Sequence, residues 1–216
     1  MDVRAPARTW GGRTADERRA QRREALVAAA LEIWLDSGWA AVTMRGVCQR
    51  AGLNDRYFYE NFADRDELLG EVWDEVCAEV FADLAAVITE NSDRTPVQIL
   101  RAAIARAVAL QADQRSRARI LLAEHAGSAV LELRRQRMLT DSTDMMVAVA
   151  WPYLRPGVDE TAFRMSTLAG IGGFIELLTA WRTGVLDVDA DRIAEHTSMI
   201  ALQLGAMFLP PELLGG

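Results

Sequence analysis

The stretch TMRGVCQRAGLNDRYFYENF, residues 43–62, gathers the side chains of this chain best suited to recognition chemistry. Arg45, Arg56 and Asn61 offer hydrogen-bond donors, Tyr57 and Tyr59 offer rings with hydroxyl tips, and Asp55 and Glu60 set carboxylates among them. A guanidinium presents its donors in a planar fork that fits a phosphate or the O6 and N7 of guanine. The two carboxylates work against phosphate and therefore need their own explanation. Elsewhere the sequence is poor in reactive groupings. His125 and His196 have no partner at metal or triad spacing, and no Ser or Cys stands in a nucleophile motif. No glycine loop that cradles phosphate is present, and Cys48 and Cys77 sit among apolar residues as reduced core members. The expectation is a protein that is not an enzyme and uses no metal or cofactor.

The spacing around residues 43–62 predicts the elements that must hold these groups. Thr43 can cap a helix whose Val47, Cys48 and Ala51 face inward, and Gly52 permits the positive φ of a sharp turn. Leu53 plugs the turn and Asn54 caps a third helix. On it Phe58 and Phe62 share the inner face, while Arg56, Tyr57, Glu60 and Asn61 are expected to project outward. Upstream, Thr14 and Glu17 form a capping box that opens a helix with the stripe Leu26, Ala29, Ala30, Ile33 and Trp34, stopped at Gly38. Downstream, Asp64 caps a fourth helix that begins with Leu68, Leu69, Val72, Trp73 and Val76 and runs toward Glu90. Helices two and three, joined by a glycine turn and packed on the first, make a helix-turn-helix unit.

The remaining sequence is helical in pattern throughout. Further helices are expected from Thr95 to about Gln114, over 120–126, over 129–153, over 159–182 and over 189–208. The fold class is all-α: an arm at 1–13, a helix-turn-helix domain at 14–64 and an antiparallel helical domain at 65–216. Charge divides along the same line. Residues 1–65 hold 11 Arg against 9 acids, whereas the rest holds 13 Arg against 22 acids, so a polyanion is welcome only at the N-terminal end. The arm contributes Arg4, Arg8 and Arg13, a set suited to a minor groove. No apolar run reaches the roughly 18 residues of a membrane span and no secretory signal opens the chain, so a cytoplasmic protein without membrane contact is expected.

Read together, "TMRGVCQRAGLNDRYFYENFADRDELL" resembles the TetR family of bacterial transcriptional regulators. The resemblance covers roughly residues 15–75 and rests on Thr43, Ala51-Gly52-Leu53, Phe58-Tyr59, Phe62 and Asp64-Arg65 in that order. It implies a homodimer that binds an operator in double-stranded DNA through the N-terminal domain and a small effector through the C-terminal one. Carried over by position, it places Thr43, Arg45, Tyr59, Asn61 and Arg65 on phosphate, with Asn54 among the DNA-facing residues and Arg56 and Tyr57 as base readers. Glu60, four residues after Arg56, can pair with it and hold the side chain in place. The effector pocket implied by the resemblance would lie between helices, with Trp73, Phe81, Glu124, His125, Asp141, Met145, Trp151 and Phe174 as candidates. Gly170 and Gly173 lie in a helical run where glycine costs about 1 kcal/mol, which close helix approach can offset. They, with Trp181, Met199 and Leu202, are the expected dimer interface. The function implied is a repressor released by a small, largely apolar ligand. The rival readings are an effector-free dimeric regulator governed by a protein partner, and a helical enzyme or carrier without DNA binding.

Overall fold

The computed structural model describes residues 14–123 and 125–214. The arm arginines and Glu124 lie outside the described residues. Every described element is helical: α1 (Ala15–Ser37), α2 (Met44–Ala51), α3 (Asp55–Tyr59), α4 (Arg65–Glu90), α5 (Pro96–Ala112), α6 (Ala129–Ala150), α7 (Glu160–Arg182) and α8 (Ala190–Gly205). Short 3₁₀ turns stand at Trp39–Ala41, Arg117–Leu122, Trp151–Tyr153 and Pro211–Leu213. The chain forms two compact units that divide between Asp74 and Glu75. No described helix is long and apolar enough to cross a membrane.

In the first unit local chemistry sets the helix ends. Thr14 Oγ1 accepts from Glu17 N at 3.1 Å while Thr14 N donates to Glu17 Oε2 at 2.6 Å, which satisfies two N–H groups that the helix itself leaves free. Gly52 ends α2 at φ +67°, a backbone region that side chains with Cβ rarely adopt. The core joins Leu26, Ala30 and Trp34 of α1 to Val47 of α2, Phe58 of α3 and Leu68, Leu69, Val72 and Trp73 of α4, all nearly fully buried. Trp34 and Trp73 pack with ring centroids 6.5 Å apart.

Two arginines close this unit by reaching backbone carbonyls. Arg65 donates from Nε to Val42 O and from Nη2 to Trp39 O at 2.7 Å, and its guanidinium lies 5.1 Å from the Trp39 ring centroid. Arg23 donates to Asn61 O at 2.7 Å, pairs with Glu71 at 3.0 Å and covers the Phe62 ring. Both residues hold elements distant in sequence.

The second unit packs α5 against α8 and α6 against α7. Ile104, Val108, Leu178 and Ile193 form its buried centre, with Phe174 and Trp181 packed around it. The helix expected over 120–126 is instead the 3₁₀ turn Arg117–Leu122 followed by a loop. Its carbonyls are claimed by side chains: Ala118 O accepts from Gln111 Nε2, Arg119 O from Arg182 Nη1, and Ile120 O lies 2.8 Å from His125 Nε2. Three successive acceptors are thereby partly withdrawn from helix propagation. Gly127, at φ +90°, carries the chain on into α6.

These contacts predict which arginine the fold needs. Arg65→Ala should lower unfolding free energy by about 2 kcal/mol or more, since two charge-assisted bonds to carbonyls are lost, whereas Arg56→Ala should stay within about 0.5 kcal/mol of wild type; urea denaturation of both variants checks this. His125 is buried, and burial pushes its imidazole pKa below the ordinary value despite the opposing bond to Ile120 O and charge of Glu132. The unfolded chain therefore binds the extra proton first, so stability should fall as pH drops below about 6.5, the unfolded value, and be intact above it. His125→Gln should remove that part of the loss between pH 7 and 5 when both proteins are melted across the range.

Candidate nucleic-acid interface and internal cavity

The helix-turn-helix face is built by two caps and one buried ring. Thr43 Oγ1 accepts from Gly46 N at 3.1 Å, and a Cβ on Gly46 would come within 3.0 Å of that oxygen, so glycine there keeps the cap tight. Asn54 Oδ1 accepts from Tyr57 N at 3.2 Å and starts α3. Phe58 is 1 % exposed and anchors α3 on its inner side, with Phe62 5.8 Å away. The turn therefore presents Thr43, Arg45, Asn54, Asp55, Arg56 and Tyr59 to solvent.

Their surroundings sort the expected DNA contacts. Arg45 is exposed and makes no ion pair among the described residues, and Tyr59 is 61 % exposed with its ring edge-on to Phe58. Arg56 keeps 83 % of its side chain exposed while Nε donates to Glu60 Oε1 at 2.9 Å. Glu60 also lies 3.7 Å from Arg22, whose guanidinium stacks 4.6 Å from the Tyr57 centroid. The carboxylate is thus flanked by two cations, and its charge is largely compensated. Asp55 occupies the first turn of α3, where the helix dipole favours a negative charge.

Three expected positions need correction. Asn61 is 6 % exposed and does not face outward: its Nδ2 donates to Tyr57 O at 2.7 Å, because the chain tightens immediately after α3 and turns that amide inward. Arg65 is held by Trp39 O and Val42 O, so its guanidinium serves the fold before it can serve phosphate. Tyr57 is half-buried beneath Arg22 and offers less of its ring than an outward base reader would. Arg19 and Gln49, exposed beside these elements, are polar groups that the sequence pattern did not single out. Cys48 is buried, and burial, aided by Asp55, pushes its thiol pKa up, as befits an unreactive core residue.

The second unit contains a cavity of about 300 Å³, partly open to solvent and bordered by residues of α4 through α8. Leu84 and Ile88 of α4, Leu100 and Ile104 of α5, Met138, Met145 and Met146 of α6, Phe163, Ile171 and Phe174 of α7, and Ala201 and Leu204 of α8 supply its apolar wall. Among the described residues the polar lining consists of Gln111, Ser142, Ser166, Thr167 and Thr197, and none of the described lining side chains is charged. Thr167 is already committed to Phe163 O at 2.9 Å, whereas the buried Thr197 hydroxyl has no partner.

Among the residues expected at this pocket, Met145 and Phe174 line it. Trp73 does not: it is locked against Trp34 in the first unit. His125 is buried on the Ile120 carbonyl, Asp141 and Trp151 are exposed, and Phe81 is half-buried away from the lining. Aromatic type marked bulk, while the wall is made mostly of aliphatic and small side chains.

The expected interface residues also separate. A Cβ on Gly170 would sit 3.1 Å from Leu204 Cδ1, so this glycine admits α8 of the same chain and lines the cavity. Trp181 is half-buried in the domain centre and donates from Nε1 to Val188 O at 2.8 Å, and Leu202 is half-buried as well. Gly173 and Met199 lie exposed on α7 and α8, beside Met165, Leu168, Ile200 and Met207.

Comparison with known proteins agrees with this architecture. Residues 26–72 match the family model of bacterial regulatory proteins, tetR family. No curated protein sequence matches the chain. Among solved structures, the chain is similar to SmeT, the repressor of the Stenotrophomonas maltophilia multidrug efflux pump SmeDEF, at 22 % identity and TM-score 0.63 over 88 % of this chain and 92 % of that one. A complex of SmeT with triclosan aligns at 24 % identity and TM-score 0.65, over 89 % and 94 %. NalD, the secondary repressor of the MexAB-OprM multidrug efflux pump in Pseudomonas aeruginosa, aligns at 19 % identity and TM-score 0.61, over 89 % and 99 %. A TetR transcriptional regulator from Chloroflexus aurantiacus aligns at 16 % identity and TM-score 0.64, over 87 % and 97 %. Residues 26–72 are thus similar to the tetR family of bacterial regulatory proteins, and the chain shares its fold with these solved regulators.

Proposed function

We propose that this regulator is a homodimeric repressor that a small, largely apolar effector releases from a near-palindromic operator. The observation that carries the reading is the cavity of about 300 Å³, whose described lining is apolar except for five uncharged polar side chains. That volume lies at the lower end of small-molecule sites. The fold-relatives SmeT and NalD repress efflux pumps, and SmeT is known in complex with triclosan.

Helix α4 supplies the physical link. Its early residues Leu68, Leu69 and Val72 belong to the core under the helix-turn-helix, and its later residues Val80, Leu84 and Ile88 border the cavity. An effector that fits the wall better when α4 is displaced shifts the population toward the displaced state, and the shift equals its differential affinity for the two states. Two recognition helices in one dimer must sit about 34 Å apart to enter successive major grooves, so a small displacement of α4 suffices to spoil the spacing.

The exposed apolar residues Met165 and Leu168 of α7 and Met199, Ile200 and Met207 of α8 favour pairing of two copies through these helices. Gly173 supports close approach there, since a Cβ at that position would meet nothing within the chain. A self-complementary patch of this kind gives a two-fold dimer and hence a palindromic site.

Selection of binding sites from random duplex DNA should enrich a palindrome, and failure to enrich one at low salt would exclude the repressor reading. On the enriched site, Arg45→Ala should weaken all sequences alike and reduce the salt slope by about one, as expected for loss of one phosphate contact. Arg56→Ala should instead relax sequence preference at one position of each half-site, seen as a flattened profile when the selection is repeated with the variant.

A further inference from the structure

One polar group of the cavity wall, Gln111, is backed by a cation. Gln111, at the end of α5, lines the cavity and is 8 % exposed. Arg182 Nη1 donates to its Oε1 at 2.8 Å, and its Nε2 donates to Ala118 O at 2.9 Å. Guanidinium only donates and a carbonyl only accepts, so the two neighbours fix which end of the amide is which. The second N–H of Nε2 has no acceptor among the described residues.

Behind this amide stands a cation without a counter-ion among the described residues. Arg182 donates to Gln111 and to Arg119 O, and no described carboxylate comes within ion-pairing distance of it. Burial, with a smaller contribution from the charge of Arg119, holds its guanidinium below the usual range. A desolvated, unpaired cation favours any anion that can enter the same low-dielectric space. Among the described residues no acidic side chain borders the cavity to receive a cation instead. On α8, the unpartnered hydroxyl of Thr197 gives the wall a second group able to donate.

We infer that the cavity selects apolar molecules carrying an anionic oxygen, such as a carboxylate, which seats on the free N–H of Gln111 with Arg182 behind it, and that it rejects organic cations. This assignment rests on the reading of the cavity as the effector site and adds the sign and place of the ligand's polar group. Arg182 acts through Gln111 and is a positioning residue; Gln111 makes the contact.

The test is calorimetric titration of the full chain with octanoate, octanol and octylammonium, three probes with the same tail. Octanoate should bind at least about tenfold more tightly than either of the others, the difference expected when one charge-assisted bond is made in a desolvated site. Gln111→Glu retains shape and gives Arg182 a partner, so it should abolish the preference for octanoate over octylammonium, while Gln111→Leu should bring octanoate down to octanol. Equal binding of octylammonium and octanoate by the wild type would overturn the inference and leave the effector reading standing. If none of the three binds at millimolar concentration, the effector reading of this cavity falls and the inference falls with it.

Discussion

A backbone carbonyl in the turns between helices gains from a donor, and in this chain the donor is repeatedly arginine. Arg65 meets Trp39 O and Val42 O, Arg23 meets Asn61 O, Arg155 meets Met207 O, and Arg182 meets Arg119 O. Each bond ties two segments far apart in sequence, and each withdraws a cation from other uses. On the helix-turn-helix face the exposed Arg45 and Arg56 make no such bond among the described residues, which is why the proposed DNA contacts fall to them. The same requirement shapes the second unit, where Gln111, Arg182 and His125 take three successive carbonyls around the 3₁₀ turn and leave a cation beside a cavity that no described carboxylate lines.

The acids inside the reading segment fit this scheme. Asp55 sits in the first turn of α3, where the dipole offsets its charge. Glu60 lies between Arg56 and Arg22 and orients the first of them. Exposed pairs contribute little to stability, typically under about 1 kcal/mol, so the role of Glu60 is geometric: it restricts where the Arg56 fork can reach.

Local chemistry was legible in the sequence, and tertiary capture of polar groups was not. Thr14 with Glu17, Thr43, Asn54 and Thr95 with Gln98 cap the helices that their spacing predicts, because a cap is decided within four residues. Asn61 and Arg65 could not be placed that way: what holds them depends on the chain folding back so that Tyr57 O, Trp39 O and Val42 O stand within reach. The cavity was partly legible. Met145 and Phe174 line it, but Trp73 and Trp151 were drawn in by size alone, and Gln111, the one amide in its wall, gives no signal in sequence because its role arises from Arg182, 71 residues away.

The central claim is that occupancy of the cavity and grip on DNA are coupled through α4. Coupling of this kind is reciprocal, so it shows as one factor measured from two directions. Fluorescence anisotropy of the selected operator duplex, titrated with protein in the absence of octanoate and at concentrations that saturate the cavity, measures it directly. The account predicts that operator affinity falls when the cavity is filled, and that octanoate affinity falls by the same factor when the operator is bound. An operator affinity that does not change across octanoate saturation would contradict it.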